Sequence, residues 1–257
     1  MGTPLKDWDI QINYGIKTGF NDAFIISTEK RKEILDNCSS DEERQKTAEL
    51  IRPILRGRDI KRYGYNWANL YLIATFPSRH YSIDDYPAVK EHLLSLGKER
   101  LEQTGKKYIV NGEEIKARKK TNNKWFETQD SISYWEDFFK PKVVYPETTQ
   151  GAYFAYDEEG VFLDKTCFML ISKDAKYIQA SLSSQLFEFA YKKMYSSVEL
   201  GQNGFQYNKH ALIKLPLRRI NEDGVSDYSD EFFYELYGIS PEEINYIQES
   251  IVSPHNQ

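Results

Sequence analysis

Apolar and polar positions fall into blocks along this chain, and the spacing inside each block predicts its element. Residues 23–27 form a short apolar run that reads as a strand. From Ser27 to Gly57 charged positions are interleaved with Ile34, Leu35, Leu50 and Ile51, a helical spacing that Pro53 and Gly57 interrupt. Aromatics then lead into a strand expected at residues 70–76, stopped by Pro77. Pro87 suits the first position of a helix, and apolar residues 89, 93, 94, 96 and 101 put one stripe on it through residue 103. A polar, basic loop follows. "ISYWEDFFKPKVVYPE" suggests a short aromatic helix and then a strand at residues 143–145, and "AYFAYDEEGVFLDKTCFMLIS" suggests a hairpin turning at residues 157–160. Residues 177–195 carry Ile178, Leu182, Leu186, Phe189 and Ala190 on one helical face. "SSVELGQNGFQYNKHALIKLPL" reads as a Gly/Asn/Gln-rich loop entering a strand. "SPEEINYIQESI" is a terminal helix with Ser240 as N-cap and Glu243 at the capping-box position. There is no internal repeat and no low-complexity linker.

With 257 residues, 40% of them hydrophobic, the chain can bury a sizeable core. No apolar run approaches the roughly 20 residues of a membrane helix, and the N-terminus lacks a signal pattern, so a cytoplasmic location is expected with no membrane partner. Cys38 and Cys167 have no metal-ligand spacing and read as free thiols. Charge changes the picture more. Nine acids and no Lys or Arg lie from Asn221 onward, so the whole-chain −5 leaves residues 1–220 at +4. Two segments concentrate that charge: residues 52–62, with Arg52, Arg56, Arg58, Lys61 and Arg62 against Asp59, and residues 98–124, with nine Lys/Arg against four Glu. Such runs serve either as solvated faces or as phosphate-contacting surfaces.

Catalytic constellations are mostly absent. "YGIKTGFNDAFII" places Lys17 and Thr18 in a glycine turn, but Ile16 separates Gly15 from Lys17, so the spacing is not that of a phosphate-binding P-loop. The turn is either a tight surface turn or a contact point. His80, His92, His210 and His255 show no zinc spacing. There is no Gly-x-Gly-x-x-Gly and no Asn/Asp-Pro-Pro-Tyr/Phe tetrapeptide of the kind that grips a flipped base, so no catalytic residue, metal ligand or cofactor is assigned. Two alternatives stay open. Asp59-Ile60-Lys61 and Glu114-Ile115-Lys116 offer the short acid-x-Lys pair of a Mg²⁺-dependent nuclease, and 19 Tyr with 14 Phe could furnish a protein-docking surface.

An ordered set of motifs adds a more definite expectation. "YGIKTGFNDAFII", "LRGRDIKRYGYNWANLYLIATF", "YPAVKEHLLSLGKERLEQTGKK", "WFETQDSISYWEDFFKPKVVYPE", "TCFMLIS", "KYIQASLSSQLFEFAYKKM", "QYNKHALIKLPL" and "LYGISPEEINYIQESI" together resemble the TaqI-like C-terminal specificity domain, over nearly all of residues 10–250. That domain is the target-recognition part of adenine-specific DNA methyltransferases and type IIG restriction-modification enzymes. The resemblance implies an α+β fold, a mixed, largely antiparallel twisted sheet with flanking helices and long DNA-facing loops. It implies double-stranded DNA as partner, and a methyltransferase catalytic domain, fused upstream or separate, that uses S-adenosylmethionine in the parent enzyme. Because Met1 begins with the specificity motifs already under way, the chain reads as a fragment or standalone specificity domain without catalysis of its own. Residues 1–220 are expected to form the recognition domain, and residues 221–257 an acidic helical extension packed on it.

The same resemblance makes candidates of particular residues. Lys17, Thr18 and Asn21 in the opening turn could meet backbone or bases. Arg56, Arg58, Lys61 and Arg62 could neutralise phosphates or reach guanine edges, which a guanidinium fork matches. "KARKKTNNKWFE" mixes Arg118, Lys119, Lys120 and Lys124 with Asn122, Asn123 and Trp125, and its amides suit adenine. "ELGQNGFQYNKH" offers Gln202, Asn203, Gln206, Asn208 and Lys209, and Thr148 with Gln150 follows a strand as a third group.

Overall fold

Ser27 and Ser40 each accept a hydrogen bond from the backbone amide three residues on, Ser27 Oγ from Lys30 (3.3 Å) and Ser40 Oγ from Glu43 (3.1 Å). Each serine therefore starts its own helix. The charged block is two helices, Thr28–Asp36 and Asp41–Leu50, followed by a strand, Ile51–Leu55, where the spacing alone predicts one helical run. β-branched Ile51 and Ile54 around Pro53 favour the extended form. Ser40→Ala is expected to lower stability by about 1 kcal/mol, read as a shifted denaturant midpoint with an unchanged slope.

In this computed structural model residues 2–195, 199–200, 204–220 and 227–252 are described. Several other expected elements are divided in the same way. The first apolar run is a helical turn, Asn21–Phe24, then a strand, Ile25–Ser27. Gly97, at φ +89°, separates Pro87–Leu94 from Lys98–Leu101. Extended Ser184 separates Ala175–Ser183 from Gln185–Met194 and caps the second helix through Phe187 N (3.3 Å). The basic loop contains a two-stranded ribbon, Lys107–Val110 with Glu113–Lys116, turned by Asn111 and Gly112 at φ 53° and 86°. The hairpin expected at residues 157–160 is replaced by a different pairing: Ala155–Asp157 and Cys167–Ile171 lie on opposite sides of Lys142–Pro146.

The chain folds into two units, each assembled from separated segments. One comprises Met1–Gly15, Arg56–Asn66 and Asp137–Gln257; the other comprises Ile16–Leu55 and Trp67–Glu136. In the first, an antiparallel sheet has the order Ala155–Asp157, Lys142–Pro146, Cys167–Ile171, Gln11–Tyr14. The helix Ala175–Ser183 packs on it, burying Val143, Tyr145, Phe168, Leu170, Ile178 and Leu182 in one core. Phe233, from the helix Asp230–Tyr237, joins this core, and the edge of Phe189 meets Tyr246 of Pro241–Val252 at 5.7 Å. In the second unit, Leu70–Ile73 runs between Ile25–Ser27 and Ile51–Leu55, antiparallel to both, with Phe24, Ile26, Leu50, Leu72, Val89 and Leu93 buried. The fold class is thus α+β with largely antiparallel sheets, as the sequence implies. No helix among the described residues is long and apolar enough to cross a membrane.

Two opposed features sit inside the first unit. Lys142, directly across the ladder from Asp157, is fully buried; its ammonium bonds the Asp157 carboxylate and the Phe138 carbonyl, the latter at 2.5 Å. Asp157 also accepts from the Tyr65 hydroxyl (3.0 Å) and the Val161 amide (3.2 Å). Arg62 reaches from the Ile60–Lys61 and Gly64–Tyr65 hairpin to the Ser183 carbonyl (2.6 Å) and to Glu188, which is buried.

Candidate nucleic-acid interface

In the first unit, one end of the sheet gathers polar groups from segments far apart in sequence. The register pairs Pro146 with Cys167 and Tyr14 with Phe168, so these strand ends lie side by side. The Gly15 amide donates to the Cys167 carbonyl at 2.8 Å, and a Cβ on Gly15 would lie 1.8 Å from the Asp164 carbonyl oxygen, so only glycine passes there. The Gly57 amide donates to Thr166 Oγ1 at 2.9 Å, which ties the 56–61 loop to the turn before Cys167–Ile171. Thr148–Thr149 pairs with Gly204–Gln206 next to the same end, and the Glu147 amide donates to the Thr166 carbonyl at 2.9 Å. Arg58, Lys61, Thr148 and Gln150 are exposed there, with Lys61 Nζ donating to the Arg58 carbonyl at 2.9 Å.

This end also presents Tyr14, 59% exposed with its ring 4.9 Å from Phe168, and exposed Lys165 and Thr166. Sequence reasoning passes over these three. The signal for the last two is a second Lys-Thr pair, in "LDKTC", between strands as in the opening turn.

Other residues proposed from the sequence are engaged within the protein. Arg56 grips both carboxylate oxygens of Asp59, at 2.8 and 3.0 Å, and its amide donates to the same group at 2.8 Å. Burial alone would raise the Asp59 carboxyl, but these bonds outweigh it and hold its pKa below the ordinary value. Arg62 is committed to buried Glu188, which Lys192 also contacts at 2.6 Å. A guanidinium that turns to a phosphate from this position draws away from a buried carboxylate, which disfavours the DNA contact expected of Arg62. Asn208 Oδ1 caps Lys209–Leu212 through the Ala211 amide at 2.9 Å, Lys209 Nζ lies 3.5 Å from the Ile12 carbonyl, and Gln206 donates to Glu147 at 3.1 Å. Gln202 and Asn203 lie outside the described residues.

The second unit contributes a different surface. Arg118, placed by the sequence in a basic run, is 4% exposed and donates to four backbone carbonyls: Leu101 (2.8 Å), Thr18 (2.8 Å), Glu127 (2.8 Å) and Trp125 (2.7 Å). Burial lowers its pKa from the ordinary arginine value to about 10. These bonds anchor its loop, and a guanidinium so buried and engaged is poorly placed for the phosphate contact expected of it. Thr18 is buried and donates to Asn21 Oδ1 at 2.7 Å, while Asn123 Nδ2 donates to the Gln129 carbonyl at 2.9 Å. Trp125 is half-buried, its ring 5.9 Å from the Lys98 ammonium. Around this frame Lys17, Asn21, Lys119, Lys120, Asn122 and Lys124 are exposed. The loop is thus held by Arg118 and Asn123 and offers its remaining cations and one amide to solvent.

The family model of the TaqI-like C-terminal specificity domain matches residues 52–217, more than half of the chain. The chain belongs to that family. Among solved structures it is similar to the type IIG restriction endonuclease BpuSI, with a TM-score of 0.52 and 13% identity over 99% of this chain and 29% of that one. It is also similar to the type IIL restriction-modification enzyme MmeI, solved in complex with DNA, at a TM-score of 0.49 and 13% identity over 99% of this chain and 34% of that one. The chain spans about a third of the length of either.

Proposed function

We propose that this chain reads the sequence of duplex DNA as the target-recognition part of a restriction-modification adenine methyltransferase or type IIG enzyme, in the cytoplasm, and carries no catalysis itself. The observation that carries this reading is the family match to a specificity domain over residues 52–217. The exposed residues suit the task. Arg58, Lys61 and Lys165 on one unit, and Lys17, Lys119, Lys120 and Lys124 on the other, supply cations for phosphates. Asn122 and Gln150 supply amides that can pair with adenine, and Arg58 a fork that matches guanine. A methyltransferase domain, in the same polypeptide or another, binds S-adenosylmethionine and supplies the chemistry. For the nuclease alternative, the Asp59 carboxylate is already occupied by Arg56.

Binding of the chain to duplex DNA is expected to weaken steeply as salt rises, through counterion release. Lys119→Gln with Lys120→Gln should lower the slope of log affinity against log salt by about one unit for each phosphate no longer neutralised, alike on all sequences. Asn122→Ala should leave the slope and reduce discrimination among sequences. Filter or fluorescence binding across a salt series measures both, and an affinity that does not change with salt rejects the reading.

A further inference from the structure

The ribbon of residues 107–116 has a face that nothing in its own unit uses. Cross-strand pairing puts Lys107 with Lys116 and Ile109 with Glu114 on one face, and Tyr108 with Ile115 and Val110 with Glu113 on the other. Tyr108, Val110 and Ile115 are half-buried, and the Tyr108 hydroxyl lies 3.1 Å from Thr104 Oγ1, so this face lies against the protein. On the opposite face Lys107, Glu114 and Lys116 are exposed and Ile109 is 72% exposed, beside a Lys107–Glu114 pair at 2.8 Å. Leaving a branched aliphatic side chain in water forgoes the free energy of burying it, and here the residue stands among cations. Lys106, Lys107, Lys116, Lys119 and Lys120 are all exposed, against Glu113 and Glu114. At the tip, Asn111 presents an exposed amide from a left-handed turn.

We infer that this ribbon enters the major groove of duplex DNA and reads it, with Ile109 against a thymine methyl and Asn111 at a neighbouring base edge. The inference rests on the reading of the chain as a DNA-recognition domain and names an element within it. Charge complementarity selects the partner, since Lys107 and Lys116 share the face of Ile109 and Lys106, Lys119 and Lys120 extend the positive charge from the base of the ribbon, against Glu114 on that face. Width selects the groove. Two strands roughly 5 Å apart, with side chains on either edge, fit a groove about 12 Å wide and not one about 6 Å wide. Lysines along the ribbon also disfavour edge pairing with a second copy.

The test uses the full chain and a randomised duplex library at low salt, with the enriched motif then remade with uracil in place of each thymine, which removes only the C5 methyl. Wild type is expected to bind about fourfold more weakly to the uracil duplex at one position, the value of one buried methyl. Ile109→Ser should bind the thymine and uracil duplexes equally, and Asn111→Ala should relax the motif at an adjacent position. Both residues are exposed, so an unchanged thermal transition checks that the variants fold. If wild type enriches a motif but both variants keep it along with the thymine preference, the ribbon inference fails and DNA reading stands. If wild type enriches nothing, the DNA reading fails and takes this inference with it. If Ile109→Ser abolishes self-association and leaves the motif unchanged, the ribbon's occupant is a second copy and the inference is overturned.

Discussion

Lys142→Met is expected to destabilise the fold by about 3–5 kcal/mol, the cost of leaving one member of a buried ion pair alone. Asp157 would keep only the Tyr65 hydroxyl and the Val161 amide, in a site from which both side chains of the pair exclude water completely. Asp157→Leu should be comparably severe, because it strands an ammonium whose pKa burial already pulls below that of free lysine, with Asp157 opposing the fall. Combining the two should recover much of the loss, since a matched apolar pair removes both desolvation penalties. Denaturant unfolding of the four proteins closes the cycle. Additive losses in the double variant would mean that the two groups do not act as a pair.

Arg118→Met is the second large effect. It deletes donors to four carbonyls at once, and those carbonyls belong to segments separated by up to 100 residues from the arginine. Each buried acceptor left unpaired costs about 1–3 kcal/mol, so a loss of at least about 3 kcal/mol is expected after relaxation and water entry. Arg118→Lys should recover little, because an ammonium has three donors on one point and the site needs a fork. DNA binding separates this role from that of a phosphate contact. At a temperature where the variant is folded, the salt slope should stay near wild type while affinity falls through the loosened 119–124 loop. A slope lowered by about one unit with stability unchanged would instead return Arg118 to the surface.

The contrast between Arg118 and Lys119 shows what the sequence can and cannot carry. The two are adjacent in one basic run, and hydrophobic patterning treats them alike. Only the folded chain brings the Thr18 carbonyl to Arg118, so no local rule separates anchor from contact. The strands Lys142–Pro146 and Leu70–Ile73 are legible because apolar runs there end at proline or polar residues. Ser40 and Ser184 are harder, since a serine in a helical pattern looks like one more surface position until its hydroxyl caps the next helix. Asn111 and Gly112 carry a known turn signature, but the lysines around them make the block resemble a loop. Arg62 looks like a free cation for a related reason, since Glu188 lies 126 residues away. Arg56 differs, because Asp59 is three residues from it and can be read from the sequence as its partner.

The order in which the units are encoded bears on how such domains can be recombined. Arg56–Asn66 belongs to the first unit but is written between the two halves of the second. A single cassette that exchanges the second unit with that of a relative therefore also exchanges Arg62 and Tyr65, while Glu188 and Asp157 stay in the recipient. Chimeras in which the donor carries an arginine and a tyrosine at these two places keep both contacts, and those that do not leave buried Glu188 with Lys192 alone and Asp157 without its hydroxyl donor. Shuffling experiments on this domain should accordingly use two short inserts on either side of residues 56–66, leaving that hairpin native.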